Sequence, residues 1–300
     1  MKLRQWLLLV GAALGFGGSG LLTRVAFVDG LGAWTQMGIR YLVAAAGAFA
    51  VARRLDDGEG PSRAEWRIGS VLGIWNVTVP YAFITYAYAV ASAGFVGTFT
   101  ALIPAATAVF AHRLLPDERL DRGVVAGLAV GLAGVVVLGA SGDGGLATGG
   151  RPVLAAALAT VGIAAIGWSG VYAKRHAGAY RPLVVTGVQF AVAAAAVLPI
   201  MAVVEGLPLE VSPRGWLVLG SLGLGGTLLP FVFYYALFRT AAATQVALVG
   251  YLVPFVGLVG GVVLLDEVVT LPIALGAALV LAGVFLTDRA RRTPPVRSGR

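Results

Sequence analysis

Arg40, Trp75, Asn76, Tyr81, Trp168, Gln189, Tyr234, Gln245 and Tyr251 stand inside long apolar runs where polar groups are scarce. A polar side chain is expensive in such surroundings, so its presence points either to work on a solute or to a structural tie. The chemistry on offer is binding. Indole and phenol rings supply broad apolar contact and a face for cations, while amides and hydroxyls fix orientation. Catalysis has little to draw on: cysteine is absent, His112 and His176 fall at helix ends, and Ser19 and Ser169 have no base nearby in the chain. A phosphate-cradling Gly-rich loop and clustered metal ligands are also missing, so neither metal nor cofactor is expected and the chain does not read as an enzyme. Arg40 carries three readings. Its head snorkels to the interface, binds an anionic group of a substrate, or ties together carbonyls that a broken helix leaves free.

Prolines supply the broken helices. Pro80, Pro104, Pro230 and Pro254 fall near the middle of apolar runs, where each removes a donor and crowds the carbonyl four residues earlier. The oxygens of Asn76, Thr100, Gly226 and Gly250 then need other partners, because in lipid an unpaired carbonyl costs several kcal/mol. Breaks matched in two halves at one depth are a common way to build a midplane binding site.

The elements that position these residues repeat. Pro80, Phe83 and Pro104 recur 150 positions later as Pro230, Phe233 and Pro254, and Gly17, Ser19 and Gly20 recur as Gly167, Ser169 and Gly170. After Pro116 the offset is 149, pairing Glu118 with Glu267 and Gly134 with Gly283. A hydrophobic share of 58%, a charged share of 12% and a mean hydropathy of +0.88 leave too little polar surface for a soluble domain. Ten runs are long enough to cross a bilayer as helix, at 6–27, 33–52, 67–90, 93–113, 123–140, 152–173, 183–204, 215–238, 241–265 and 271–287; they are numbered helix 1 to helix 10 below. Five per half is odd, so the second copy enters the membrane from the opposite side. The expected domains are residues 1–141, residues 151–288 and a basic tail, 289–300. Placing both termini in the cytoplasm puts every Lys and Arg at the cytoplasmic side except Arg24, Arg151 and Arg214 outside and Arg40 within a span. That asymmetry predicts a multi-pass protein of the cytoplasmic membrane.

The net charge of +8 is spread over short loops and the tail, which speaks for a lipid bilayer and against nucleic acid as the partner. Carboxylates all fall at span ends, in loops or in the tail, so a proton-coupling group is not evident and facilitated diffusion or exchange is the expectation. Glu118 and Glu267 lie on opposite faces by this topology, as gate candidates or helix-start residues. Gly123, Gly127 and Gly131 make a ladder in helix 5 and Gly257 with Gly261 another in helix 9. Close packing within the chain is expected there, with a homodimer as the alternative.

These features together resemble the drug/metabolite transporter superfamily, in its ten-helix branch with two EamA-type domains. The Gly-x-Ser stretch late in the first helix of each half, Arg40 in helix 2, the prolines of helix 4 and the acids before a Gly-rich fifth helix carry the likeness. Gln189 replaces the arginine in half two, which makes the halves chemically unequal. The resemblance implies an all-α carrier of small organic metabolites, amino acids or amphipathic drugs, working as an exporter, facilitator or exchanger. Alternatives are an anion exchanger of the triose-phosphate or nucleotide-sugar kind that uses Arg40, a lipid-moving protein, and, further off, a channel or intramembrane enzyme.

Overall fold

The computed structural model describes residues 3–55, 59–114, 122–140, 151–176, 179–238, 249, 253, 256, 259–260, 262–263 and 269–292. Among them the secondary structure is helical throughout, without a strand. Helix 1 is Leu3–Val28, helix 2 Ala33–Leu55 and helix 3 Arg63–Val90. Helix 4 covers 93–114, helix 5 Arg122–Ala140, helix 6 Pro152–Arg175, helix 7 Pro182–Val204 and helix 8 residues 213–238. Helix 10 is Leu271–Arg292, so it runs into the stretch expected as the start of the tail at 289. Helix 9 lies mostly outside the described residues. Helices 1, 3, 6, 7 and 8 each contain a run long and apolar enough to cross a membrane.

Helix 3 starts with a capping box: the Ser62 hydroxyl accepts from Glu65 N–H and the Glu65 carboxylate accepts from Ser62 N–H. Ser212, 150 positions later, caps helix 8 by accepting from Gly215 N–H. At 28 residues helix 3 spans about 42 Å, well beyond a hydrocarbon core of about 30 Å, so its first turn stands outside the span that begins at 67.

Midway, helices 3 and 8 both widen into a single π turn, at Gly73–Thr78 and Leu224–Leu228. The prolines explain the position. Pro80 and Pro230 cannot donate and would crowd the carbonyl four residues back; with the wider turn, Val79 N–H reaches Ile74 O and Leu229 N–H reaches Leu224 O, each five residues earlier. Threonine hydroxyls close what is left, Thr78 Oγ1 donating to Gly73 O at 2.9 Å and Thr227 Oγ1 to Leu222 O at 2.8 Å. In helix 4 a short 3₁₀ turn at Thr100–Leu102 precedes the segment Ile103–Leu114 that holds Pro104.

The halves interlock. A Cβ built on Gly15 would lie 2.8 Å from Pro230 Cβ, and one on Gly162 2.9 Å from Pro80 O, so each half's first helix lies against the broken helix of the other. In the same way Gly17 faces Val256 and Gly167 faces Ala106, again 150 apart. Helices 2 and 7 pair antiparallel in the middle, where the constant offset of 150 expected from helix 1 through helix 4 slips to 149: Gly223 meets Arg40 O and Val43, whereas Gly73 meets Gln189 O and Val192. Between equivalent positions half two has one residue fewer on the way to helix 7, 20 from Ser169 to Gln189 against 21 from Ser19 to Arg40, and the offset of 150 returns at Ser212.

Helices 5 and 10 form the remaining pair. A Cβ on Gly283 would run into the Gly131 amide and Gly127 O, and one on Gly134 into Gly276 O. Gly127, Gly131 and Gly134 of helix 5 are therefore used in a contact within the chain, which lets two backbones touch.

Candidate functional site

Where helix 8 widens, Arg40 reaches across from helix 2. Its Nε donates to Thr227 Oγ1 at 2.9 Å and its Nη2 to Ser19 Oγ at 2.6 Å on helix 1, with Gly226 O at 3.5 Å from the same nitrogen. The guanidinium carbon lies 4.9 Å from the centre of the Tyr81 ring. At 2% exposure the side chain does not snorkel. Of the three readings of Arg40, this geometry fits the tie, with Gly226 O, the oxygen that Pro230 deprives of a donor, in reach of Nη2. Tyr41, the next residue, stacks on Phe190 and meets Tyr81 edge-on, with its hydroxyl buried and unpaired.

The equivalent place in half one is built differently. Helices 6 and 7 both pack on the π turn of helix 3, which carries Trp75 and Asn76. The Ser169 hydroxyl lies 2.9 Å from both Asn76 Oδ1 and Ile166 O, and its one proton serves either. Trp75 and Trp168 meet edge-on at 5.8 Å, Trp168 stacks on Tyr172 at 5.6 Å, and Tyr172 continues to His176 at 4.4 Å. Gln189 occupies the position of Arg40, fully buried, and neither its Nε2 nor its Oε1 has a hydrogen-bond partner.

The sequence candidates thus fall into two groups, Arg40 with Tyr81 and Trp75 with Asn76, Trp168 and Gln189. Tyr234 meets Phe16 of helix 1 edge-on at 6.1 Å. Gln245, Tyr251, Pro254, Glu118 and Glu267 lie outside the described residues.

Two carboxylates that sequence reading passed over close the ends of the central pair. Glu205, just beyond helix 7, accepts from Trp34 N–H at 3.0 Å and Thr35 N–H at 2.8 Å, capping helix 2 where the dipole favours an anion. Glu65 accepts from Arg181 N–H at 2.9 Å, from Nε at 3.0 Å and from Nη2 at 3.1 Å, at the start of helix 7. The Arg181 guanidinium holds the Glu65 carboxyl down to about 2, assisted by the Ser62 and Arg181 amides and opposed by burial. Asp29 pairs with Arg214 at 3.1 Å on the Glu205 side. These contacts put the 1–2 and 7–8 connections on one face and the 2–3 and 6–7 connections on the other, as alternating spans require. The Ser-x-x-Glu spacing at Ser62 was the available local signal; the Glu205 cap had none.

Two inverted halves that exchange broken helices are a build with known relatives. The pattern of the EamA-like transporter family matches residues 4–140 and again residues 153–288. The chain belongs to the EamA-like transporter family. It falls with that family in the drug/metabolite transporter superfamily, as a multi-pass membrane transport protein. An uncharacterized transporter of Archaeoglobus fulgidus is 24% identical over 221 residues, or 73% of this chain and 76% of that protein. A protein known by its crystal structure superposes on this EamA-like transporter with a TM-score of 0.63 at 21% identity, over 95% of this chain and 99% of the other; that likeness bears on fold alone.

Proposed function

We propose that the chain is a secondary transporter that moves small organic metabolites, amino acids or amphipathic drugs across the cytoplasmic membrane by alternating access, as an exporter, facilitator or exchanger. The observation that carries this reading is the matched pair of π turns in helices 3 and 8, each gripped by the first two helices of a half. A single wide turn is a place where a helix changes direction at small cost, so two of them related by the repeat allow one half to rock against the other. Substrate would meet the half-buried amide and indole groups of Asn76 and Trp168 beside the exposed Trp75. The anion-exchanger reading is less favoured, because Nε and Nη2 of Arg40 are already committed to Thr227 and Ser19.

Counterflow in proteoliposomes tests the proposal. Vesicles preloaded with unlabelled solute should accumulate labelled solute transiently and saturably, and a pH gradient should not accelerate the exchange. Linear, unsaturable flux without counterflow would indicate a pore and defeat the reading.

A further inference from the structure

Gln189 is the least satisfied polar side chain in the described membrane interior. It is fully buried and both atoms of its amide are unpaired, while its counterpart Arg40 bonds to Thr227 and Ser19. A buried amide with an idle donor and an idle acceptor is costly, and it becomes favourable when a partner presents the opposite pair side by side. The repeat sets Ser169 where Ser19 stands, Asn76 where Gly226 stands and Val77 where Thr227 stands; Ser169 bonds to Asn76, Trp75 meets Trp168 edge-on, and helix 7 lies on this same π turn with Gln189 O against Gly73.

Charge decides among ligands. No acid is found among these residues to receive a cation. An ammonium group would leave Gln189 Nε2 without an acceptor; a carboxylate would set its oxygens against Gln189 Oε1. Only a neutral group with a donor next to an acceptor satisfies both atoms, and this is how glutamine side chains read the edge of adenine.

We propose that Gln189 binds a neutral planar solute through a carboxamide, lactam or amino-heterocycle edge, at a site it would share with the Asn76–Ser169 pair and the Trp75 and Trp168 indoles of the adjoining π turn. The inference deepens the transport reading above and names the substrate class of its half-one site. The ring lies against the indoles and the edge pairs with the Gln189 amide once helix 3 shifts at its π turn to admit it.

Equilibrium binding tests this without any flux, so its failure is separable from failure of counterflow. Purified protein is melted in detergent with benzamide, nicotinamide or adenine, and with benzoate or benzylammonium as the charged analogues. The neutral amide-edged compounds should raise the melting temperature saturably, whereas the charged analogues should bind at least about tenfold more weakly, a difference of about 1.4 kcal/mol. Gln189→Leu keeps the volume and removes both polar atoms, and should weaken the neutral compounds by about tenfold or more. Gln189→Arg should place a guanidinium where the amide stands, leave no acceptor for the solute's donor and abolish the shift. Equal binding of benzoate or benzylammonium, unchanged binding by Gln189→Leu, or no binding of any neutral compound would overturn the assignment. Should neither variant assemble, the ligand series on the unaltered protein decides alone.

Discussion

Arg40 Nε lies 2.9 Å from Thr227 Oγ1, and that hydroxyl in turn donates a hydrogen bond to Leu222 O, so one cation on helix 2 fastens the widened turn of helix 8. The tie is made to neutral partners 187 positions away in the chain, and Ser19 brings helix 1 into it. Removing the guanidinium leaves the Gly226 carbonyl and two hydroxyls short of a donor. Arg40→Ala should lower stability by about 2 to 3 kcal/mol, reduced somewhat by relief of the buried charge. Arg40→Lys should recover only part, since an ammonium cannot address both hydroxyls with the guanidinium's fixed fork. Unfolding by denaturing detergent reads both; an Arg40→Ala protein as stable as the parent would show the tie to be idle.

A sharper test concerns Gly32 and Glu205. A Cβ on Gly32 would run into the Glu205 carboxylate that caps helix 2, and this carboxylate is the far end of a flexible side chain. Gly32→Ala should therefore displace the cap and cost about what Glu205→Ala costs, roughly 1 kcal/mol. The double variant should be no worse than either single one, a non-additive cycle between contacting sites. Additive losses would mean that Gly32 matters for another reason.

Glu65 gives stability a pH signature. Its carboxyl is held at about 2 against an ordinary value of 4.5, chiefly by the Arg181 guanidinium. A depressed acid contributes fully above its unfolded value and loses that contribution as pH falls towards the folded value. The melting temperature in detergent should therefore drop between about pH 4.5 and 2 in the parent, with a shallower drop in Glu65→Gln. Identical slopes would dissociate the carboxyl from acid sensitivity.

The contact of helices 5 and 10 predicts a steric threshold. Gly283 faces backbone atoms of Gly127 and Gly131, which cannot swing aside as a side chain can. Gly283→Val should force the helices apart and cost about 2 kcal/mol or more, while Gly123→Ala, at an exposed position, should be near neutral. Similar effects in both would contradict the packing, as read by thermal unfolding in detergent.

Much of this architecture is legible in the chain. Pro80 with Pro230 and Gly17 with Gly167 announce both the duplication and the helices that break, because proline and glycine act through the backbone and leave a mark in sequence. The kind of break does not show: the same prolines suit a plain kink, and only the five-residue bonds from Val79 and Leu229 reveal the wider turn. Arg40 is visible as an anomaly, but its partners are not, since Ser19 and Thr227 are unremarkable types in unrelated helices. Glu65 and Glu205 look like ordinary loop-side acids. Their role depends on which helix end arrives opposite them, 116 and 170 positions away, and no local pattern encodes that. Gln189 reads as a lesser copy of Arg40, and its unpaired amide emerges only with the packing around it.

The crossed capping of helices 2 and 7 also sets an order of events during synthesis. When the first 140 residues have entered the membrane, the Trp34 and Thr35 amides still wait for Glu205, and Arg40 still waits for Thr227. The early half must be parked in a provisional arrangement until the late half is threaded in beside it. Final assembly thus needs both repeats in place, and a ribosome that stalls between them leaves behind an unfinished bundle in which Arg40 has Ser19 and Tyr81 but not Thr227.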